Sequence, residues 1–496
     1  MNPFDALLEG LRGAAPRIIA DDAVITGDEL HESIERVAGV LHARGLHCVA
    51  SRLDNGPEWL VLDLALRRMG ATHVPLPTFF SQSQLDHALA SSGAQCVVLD
   101  SRAVLPVEIH SQSQSVLDGH LVCRHLDNPS VQLPAGTACI TYTSGTTGNP
   151  KGVCLGAEAM LAVGHSLQQA SQSLAPRRHL CLMPLSTLLE NIAGVYSALL
   201  AGVEIAVPSL ADIGYTGSAG LDVPTLLKCL HRTQPESVIL VPQLLLALVM
   251  AAEQGAPLPA SLRFIAVGGG RVGPALLARA QALGLPVFEG YGLTECASVV
   301  CLNTPEAQRI GSVGKPLPHA RVQIIDGEIC VDGARCLGYL GEEGPPPGPI
   351  ATGDLGHVDD DGFVHVTGRR KNVFITAFGR NVSPEWVESE LLQHAALAQA
   401  VVFGEARPHN VAVLWPRRQD TDDDAIRTAL HQVNAGLPDY ARIGDFVRAA
   451  RPFTAADGLL TANGRPRRAA ILARYADAIE QRYATTLSLS PHETAA

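Results

Sequence analysis

The stretch Thr141-Tyr142-Thr143-Ser144-Gly145-Thr146-Thr147-Gly148-Asn149-Pro150-Lys151-Gly152 decides the reading of this chain. It gathers hydroxyls, glycines and one lysine into a short loop. Glycines let backbone N–H groups turn toward an anion without steric cost. Threonine and serine add neutral donors, and Lys151 adds a compact positive charge. Holding the phosphates of a nucleotide is the leading task for that mixture. The segment is not a Walker A loop, which wants Lys followed by Ser or Thr directly after its second glycine. Here Asn149-Pro150 separates Gly148 from Lys151, and Gly152 follows the lysine. It is a phosphate loop of another kind.

The bulk numbers bound the partners. A chain of 496 residues is too long for one ordinary core, so two or more domains are expected. A net charge of −12 argues against nucleic acid, whose phosphates would demand a basic face. Small anionic substrates need only local positive sites. The eleven cysteines form no CxxC pair, and the first residues, MNPFDALLEGLRG, lack an apolar run. A reduced, cytoplasmic home is therefore expected. No segment reads as a membrane span: 192–207 carries Glu204, and 238–252 is interrupted by Pro242. Only four lysines occur (Lys151, Lys228, Lys315, Lys371) beside 33 arginines. A chain that spells positive charge as arginine draws attention to the lysines it keeps.

Strand and helix patterns alternate through the first half, which predicts an α/β domain with mostly parallel sheets. Pro57 to Met69 reads as a helix opened by proline and closed by Gly70. Thr72 to Leu76 reads as a strand, Ser81 to Leu89 as a capped helix, and Gln95 to Leu99 as a strand. At 262–295 two strands each run into a glycine cluster, Gly268-Gly269-Gly270 and Gly290-Tyr291-Gly292. Such clusters at the carboxyl ends of neighbouring strands make a ligand crevice. A small α+β domain is expected from about residue 372, with Ser383-Pro384-Glu385 opening a helix. The division is taken as 1–370 and 371–496, joined by a hinge.

With these elements in order, the chain resembles the adenylate-forming superfamily: acyl-CoA synthetases, peptide-synthetase adenylation domains and luciferases. Within it, the chain resembles long-chain acyl-CoA synthetases more than amino-acid activators. The resemblance implies an ATP site built from Thr143, Ser144, Gly145, Thr146, Thr147, Gly148 and Lys151. It implies that Gly268, Gly269 and Gly270 lie against adenine. In Gly290-Tyr291-Gly292-Leu293-Thr294-Glu295, Tyr291 would stack near adenine, Thr294 bind phosphate and Glu295 help hold Mg²⁺. Asp354 of Thr352-Gly353-Asp354 would read the ribose diol, with Arg369 in support. Lys371 matches the hinge. Gly379 and Asn381 would line a tunnel for the acceptor thiol.

One position departs from the family. Leu459-Leu460-Thr461-Ala462-Asn463-Gly464-Arg465 carries arginine where a lysine usually bridges the carboxylate and the α-phosphate. Three readings follow: a working arginine, a slower enzyme, or a chain that has lost adenylation and only binds nucleotide. Otherwise the resemblance implies ATP-dependent activation of a carboxylic acid to an acyl-adenylate, then transfer to CoA or a separate phosphopantetheine carrier protein. Met183 to Asn191 stands where the family lines its acid pocket. It is apolar with a hydroxyl pair, which favours a fatty or other apolar acid. An acyl-carrier-protein ligase or an aryl-acid activator is the alternative.

Overall fold

The computed structural model describes residues 2–20, 23–102, 108–119, 121–143, 151–216, 220–342, 344, 347–461 and 464–488. Among them, two large sheets organise the N-terminal domain. One has nine strands, ordered Lys315–Pro316, Ser298–Leu302, Val287–Leu293, Phe264–Val267, Ser237–Leu240, Arg178–Leu180, Glu204–Ala206, Pro16–Ala20 and Ala23–Thr26. The other has eight, ordered Gly338–Tyr339, Lys151–Gly156, Thr137–Thr143, Thr72–Pro75, Cys48–Arg52, Cys96–Asp100, Leu121–His125 and Ser113–Asp118. Both are parallel through the middle and antiparallel toward their edges, so the sheets are mixed.

Local chemistry explains the helices between them. Pro57 stands at the first turn of the helix Pro57–Met69, and Gly70 closes it in the left-handed conformation at φ 66°. Ser81 makes a reciprocal capping box with Gln84 ahead of Gln82–Ser92. The largest buried cluster takes Ile205, Phe264 and Phe288 from one sheet and Val49, Cys139 and Val153 from the other. A polar network is embedded in it. Arg67 lies 2.8 Å from Asp63, His73 Nδ1 lies 2.7 Å from the same carboxylate, and Tyr196 donates to it at 2.6 Å. Burial alone would raise the Asp63 carboxyl, but Arg67 and His73 outweigh it and hold it well below the usual range.

A four-stranded antiparallel sheet (Ala320–Ile325, Glu328–Gly333, Ile350–Val358, Val364–Arg369) follows. The smaller C-terminal domain has a three-stranded sheet of Leu397–Phe403, Asn410–Pro416 and Ile443–Arg448. Helices Pro384–Leu392, Asp423–Ala435 and Arg468–Ser488 flank it. No helix among the described residues is long and apolar enough to cross a membrane. All eleven cysteines are buried free thiols.

Candidate active site

An antiparallel hairpin delivers the two ends of the phosphate loop side by side: Thr143 pairs with Lys151. Ser144, Gly145, Thr146, Thr147 and Gly148 lie outside the described residues. Lys151 Nζ stands 3.1 Å from Glu342 Oε1 and 5.2 Å from the centre of the Tyr339 ring. The Tyr339 hydroxyl in turn donates to Glu295 Oε1 at 3.1 Å. Tyr339 thereby links the lysine to the carboxylate expected to hold a metal. Sequence reasoning missed both Tyr339 and Glu342. Their signal was a lone Gly-Tyr pair before an acidic, Gly/Pro-rich loop.

The first glycine cluster follows its strand as expected. Gly268 N–H donates to Leu240 O, and a side chain on Gly268 would reach within 3.2 Å of the Gly290 carbonyl. Gly269 has φ +76°, which favours glycine. The second cluster differs from the expectation. Gly290, Tyr291 and Gly292 do not follow the end of their strand; they lie inside Val287–Leu293. That strand runs on because Ser298–Leu302 folds back against it, with a register shift between Tyr291 and Gly292. A Cβ on Gly292 would stand 1.8 Å from the Ser298 carbonyl oxygen, so the close backbone approach admits only glycine. Thr294 and Glu295 then occupy a single 3₁₀ turn, Thr294–Cys296.

Asp354 and Arg369 sit directly opposite each other on neighbouring strands. Arg369 Nε approaches Asp354 Oδ1 at 2.7 Å, and the Tyr291 hydroxyl donates to Asp354 Oδ2 at 2.7 Å. Burial raises the Asp354 carboxyl, and Arg369 opposes the rise. Lys371 belongs to the same cluster. Burial and the like charge of Arg369 lower its ammonium, with Arg465 adding to the repulsion.

Arg465 comes from the small domain, yet its guanidinium donates to the Gly269 carbonyl at 3.0 Å. Burial and Arg369 lower it, while Asp354 and Glu295 attract it. Residues distant in sequence thus converge: Gly269, Glu295, Asp354, Arg369, Lys371 and Arg465. Gly379 and Asn381 do not join them. They lie on the hairpin Phe374–Ile375/Asn381–Val382, with backbone partners inside the small domain.

Comparisons with known proteins give the family. Residues 11–342 match the AMP-binding enzyme family, and residues 371–487 match the AMP-binding enzyme C-terminal domain. The chain belongs to the AMP-binding enzyme family. It is a ligase of the acyl-CoA synthetase type. A long-chain-fatty-acid–CoA ligase, FadD15 of Mycobacterium bovis, is 28% identical and matched over 86% of each chain. A 2-succinylbenzoate–CoA ligase of Bacillus cereus is 30% identical, over 77% of this chain and 81% of its own. Among solved structures, the o-succinylbenzoate CoA synthetase of Bacillus subtilis with its acyl-adenylate superposes with TM-score 0.73 at 25% identity. It covers 94% of this chain and 97% of its own. The anthranilate CoA ligase AuaEII shares the fold at TM-score 0.78 and 19% identity, covering 97% of this chain and 98% of its own.

Proposed function

We propose that this AMP-binding enzyme joins an apolar carboxylic acid to ATP as an acyl-adenylate and then passes the acyl group to the thiol of CoA. The observation that carries the reading is Arg465, held against Gly269 in the field of Asp354 and Glu295. A carboxylate resists nucleophilic attack because charge and resonance protect it. Adenylation replaces that protection with a good leaving group. Its first step is in-line attack of the carboxylate on the α-phosphate, with pyrophosphate departing. Both reactants are anionic, so charge neutralisation and alignment do most of the work.

In this reading Lys151 and the loop before it hold the phosphates, and Arg465 spans the carboxylate and α-phosphate. Asp354 takes the ribose hydroxyls, steadied by Arg369 and Tyr291. Glu295 fits a hard cation: Tyr339 occupies one of its oxygens, and the other has no hydrogen-bond partner among the described residues. Bound Mg²⁺ would supply further charge neutralisation at the phosphates. The domain boundary is proposed at 370/371, with Lys371 as the pivot that brings Gly379 and Asn381 to the thiol. Eleven free, buried thiols suit a cytoplasmic enzyme.

Leu185 and Leu188 are buried in the segment that would line the acid pocket, which supports an apolar acyl group. An aryl acid is the second reading, favoured by the 2-succinylbenzoate ligases among the relatives. The test is carboxylate-dependent ATP–pyrophosphate exchange over fatty and aromatic acids, followed by thioester formation with CoA or a phosphopantetheinylated carrier. Exchange with alkanoates and transfer to CoA are expected. No exchange with any acid would overturn the proposal.

A further inference from the structure

Glu190 is a buried carboxylate that the proposed reaction does not use. It is fully buried in the first turn of the π-helix Leu189–Tyr196. Its Oε2 accepts from the backbone N–H groups of Leu182 at 3.1 Å and Met183 at 2.8 Å. Its Oε1 lies 2.9 Å from His179 Nε2, and His179 Nδ1 lies 3.1 Å from the Ser237 hydroxyl. Three separate elements are thereby chained together.

A second buried side chain grips the same segment. Asn55 Nδ2 donates to the Met183 carbonyl at 3.0 Å, and Asn55 Oδ1 accepts from Leu185 N–H at 2.9 Å. Four backbone groups between Leu182 and Leu185 are thus held by two side chains. The π-helix also matters. A Cβ on Gly194 would stand 2.2 Å from Glu190 Oε1 and 2.6 Å from His179 Nε2, so glycine there leaves room for the pair. The neighbouring Leu189 Cδ2 lies 3.6 Å from where a Cβ on Gly269 would stand. Gly269 is the residue whose carbonyl meets Arg465. The clamp therefore ends beside the reacting centre.

We infer that Glu190, through His179 and Ser237, is a positioning residue that fixes the wall of the acyl pocket and sets which acids are accepted. The inference rests on the acid-activating function proposed above. A buried carboxylate that uses both oxygens is costly to disturb, and a wall held at several backbone groups cannot adapt to a misfitting acyl group. His179, Cys181 and Glu190 also bring possible metal-ligand atoms within 4.8 Å of one another. Both Glu190 oxygens are already engaged, so hydrogen bonding is the reading argued and a bound metal is an outcome of the test.

The experiment compares the full-length parent with Glu190→Gln and Gly194→Ala. Glu190→Gln keeps the volume but gives up one accepting oxygen. Gly194→Ala forces the pair apart with both members present, and it carries the test if the first variant does not fold. ATP–pyrophosphate exchange is measured over acids of graded length and ring content, with KM for acid and for ATP determined separately. Zinc content and melting temperature are recorded alongside. Expected is a rise of about tenfold in KM for the preferred acid, a broadened acid profile, and KM for ATP within about twofold. A lowered melting temperature with an unchanged acid profile would overturn the inference. So would equal rises in both KM values, or one zinc per parent chain that Glu190→Gln loses. A parent inactive with every acid fails at the functional reading and takes this inference with it. An active parent with variants of unchanged selectivity removes the inference alone.

Discussion

In the proposed reaction, Arg465 bears most of the weight at the scale of single residues. Its chemistry was legible in the sequence as a cation in a lysine's place, but its bond to Gly269 was not. Arg465→Ala should lower the adenylation rate by about a hundredfold, because a donor aimed at developing charge is lost. Arg465→Lys should cost far less, since a point charge can replace the fork. Exchange kinetics check both, and an Arg465→Ala enzyme near parent activity would show that Arg465 does not bridge the carboxylate and the α-phosphate. Asp354 was also legible as a carboxylate after Thr-Gly. Arg369 was expected as support at the same ribose, but the direct contacts of Asp354 with it and with Tyr291 were not, because both come from other strands. Asp354→Asn should raise KM for ATP by about tenfold with KM for acid little changed, as one charged acceptor is lost.

At the scale of elements, short-range chemistry foretold the helices Pro57–Met69 and Gln82–Ser92. Pro57, Gly70 and Ser81 act through their own backbone or immediate neighbours, so a single stretch of sequence reveals them. The strand Val287–Leu293 shows the limit. Its glycines read locally as the place where the strand ends, and only the returning strand Ser298–Leu302 makes them strand residues. Gly292→Ala should cost about 3 kcal/mol in urea unfolding, because its Cβ meets backbone that cannot swing aside. The buried Asp63–Arg67–His73–Tyr196 network was not legible either. Asp63 and Arg67 stand four residues apart in the helix Pro57–Met69, and their burial is a property of what packs on them. Arg67→Ala should cost about 3–5 kcal/mol, since it strands a buried carboxylate.

For the whole molecule, pH reports how the fold treats charges it encloses. Glu289 lies next to the second glycine cluster, and burial raises its carboxyl from 4.5 to about 8 despite Arg271 nearby. The folded state therefore holds this proton where the unfolded chain has released it. Stability from this group falls as pH rises from about 4.5 to about 8, and the penalty is complete above that window. Glu289→Gln should lose less stability than the parent between about pH 5 and about pH 8, as read by urea midpoints. The sequence alone determined the family and the plan of a large α/β domain followed by a smaller one, because those depend on local motifs and their order. Tertiary structure decided which residues meet: Arg465 with Gly269, Tyr339 with Glu295, Asp354 with Arg369, and Glu190 with the backbone of Leu182 and Met183. Those pairings span strands, sheets and domains. The phosphate loop's motif announced a nucleotide, whereas the site around it depends on distances that chain order does not encode.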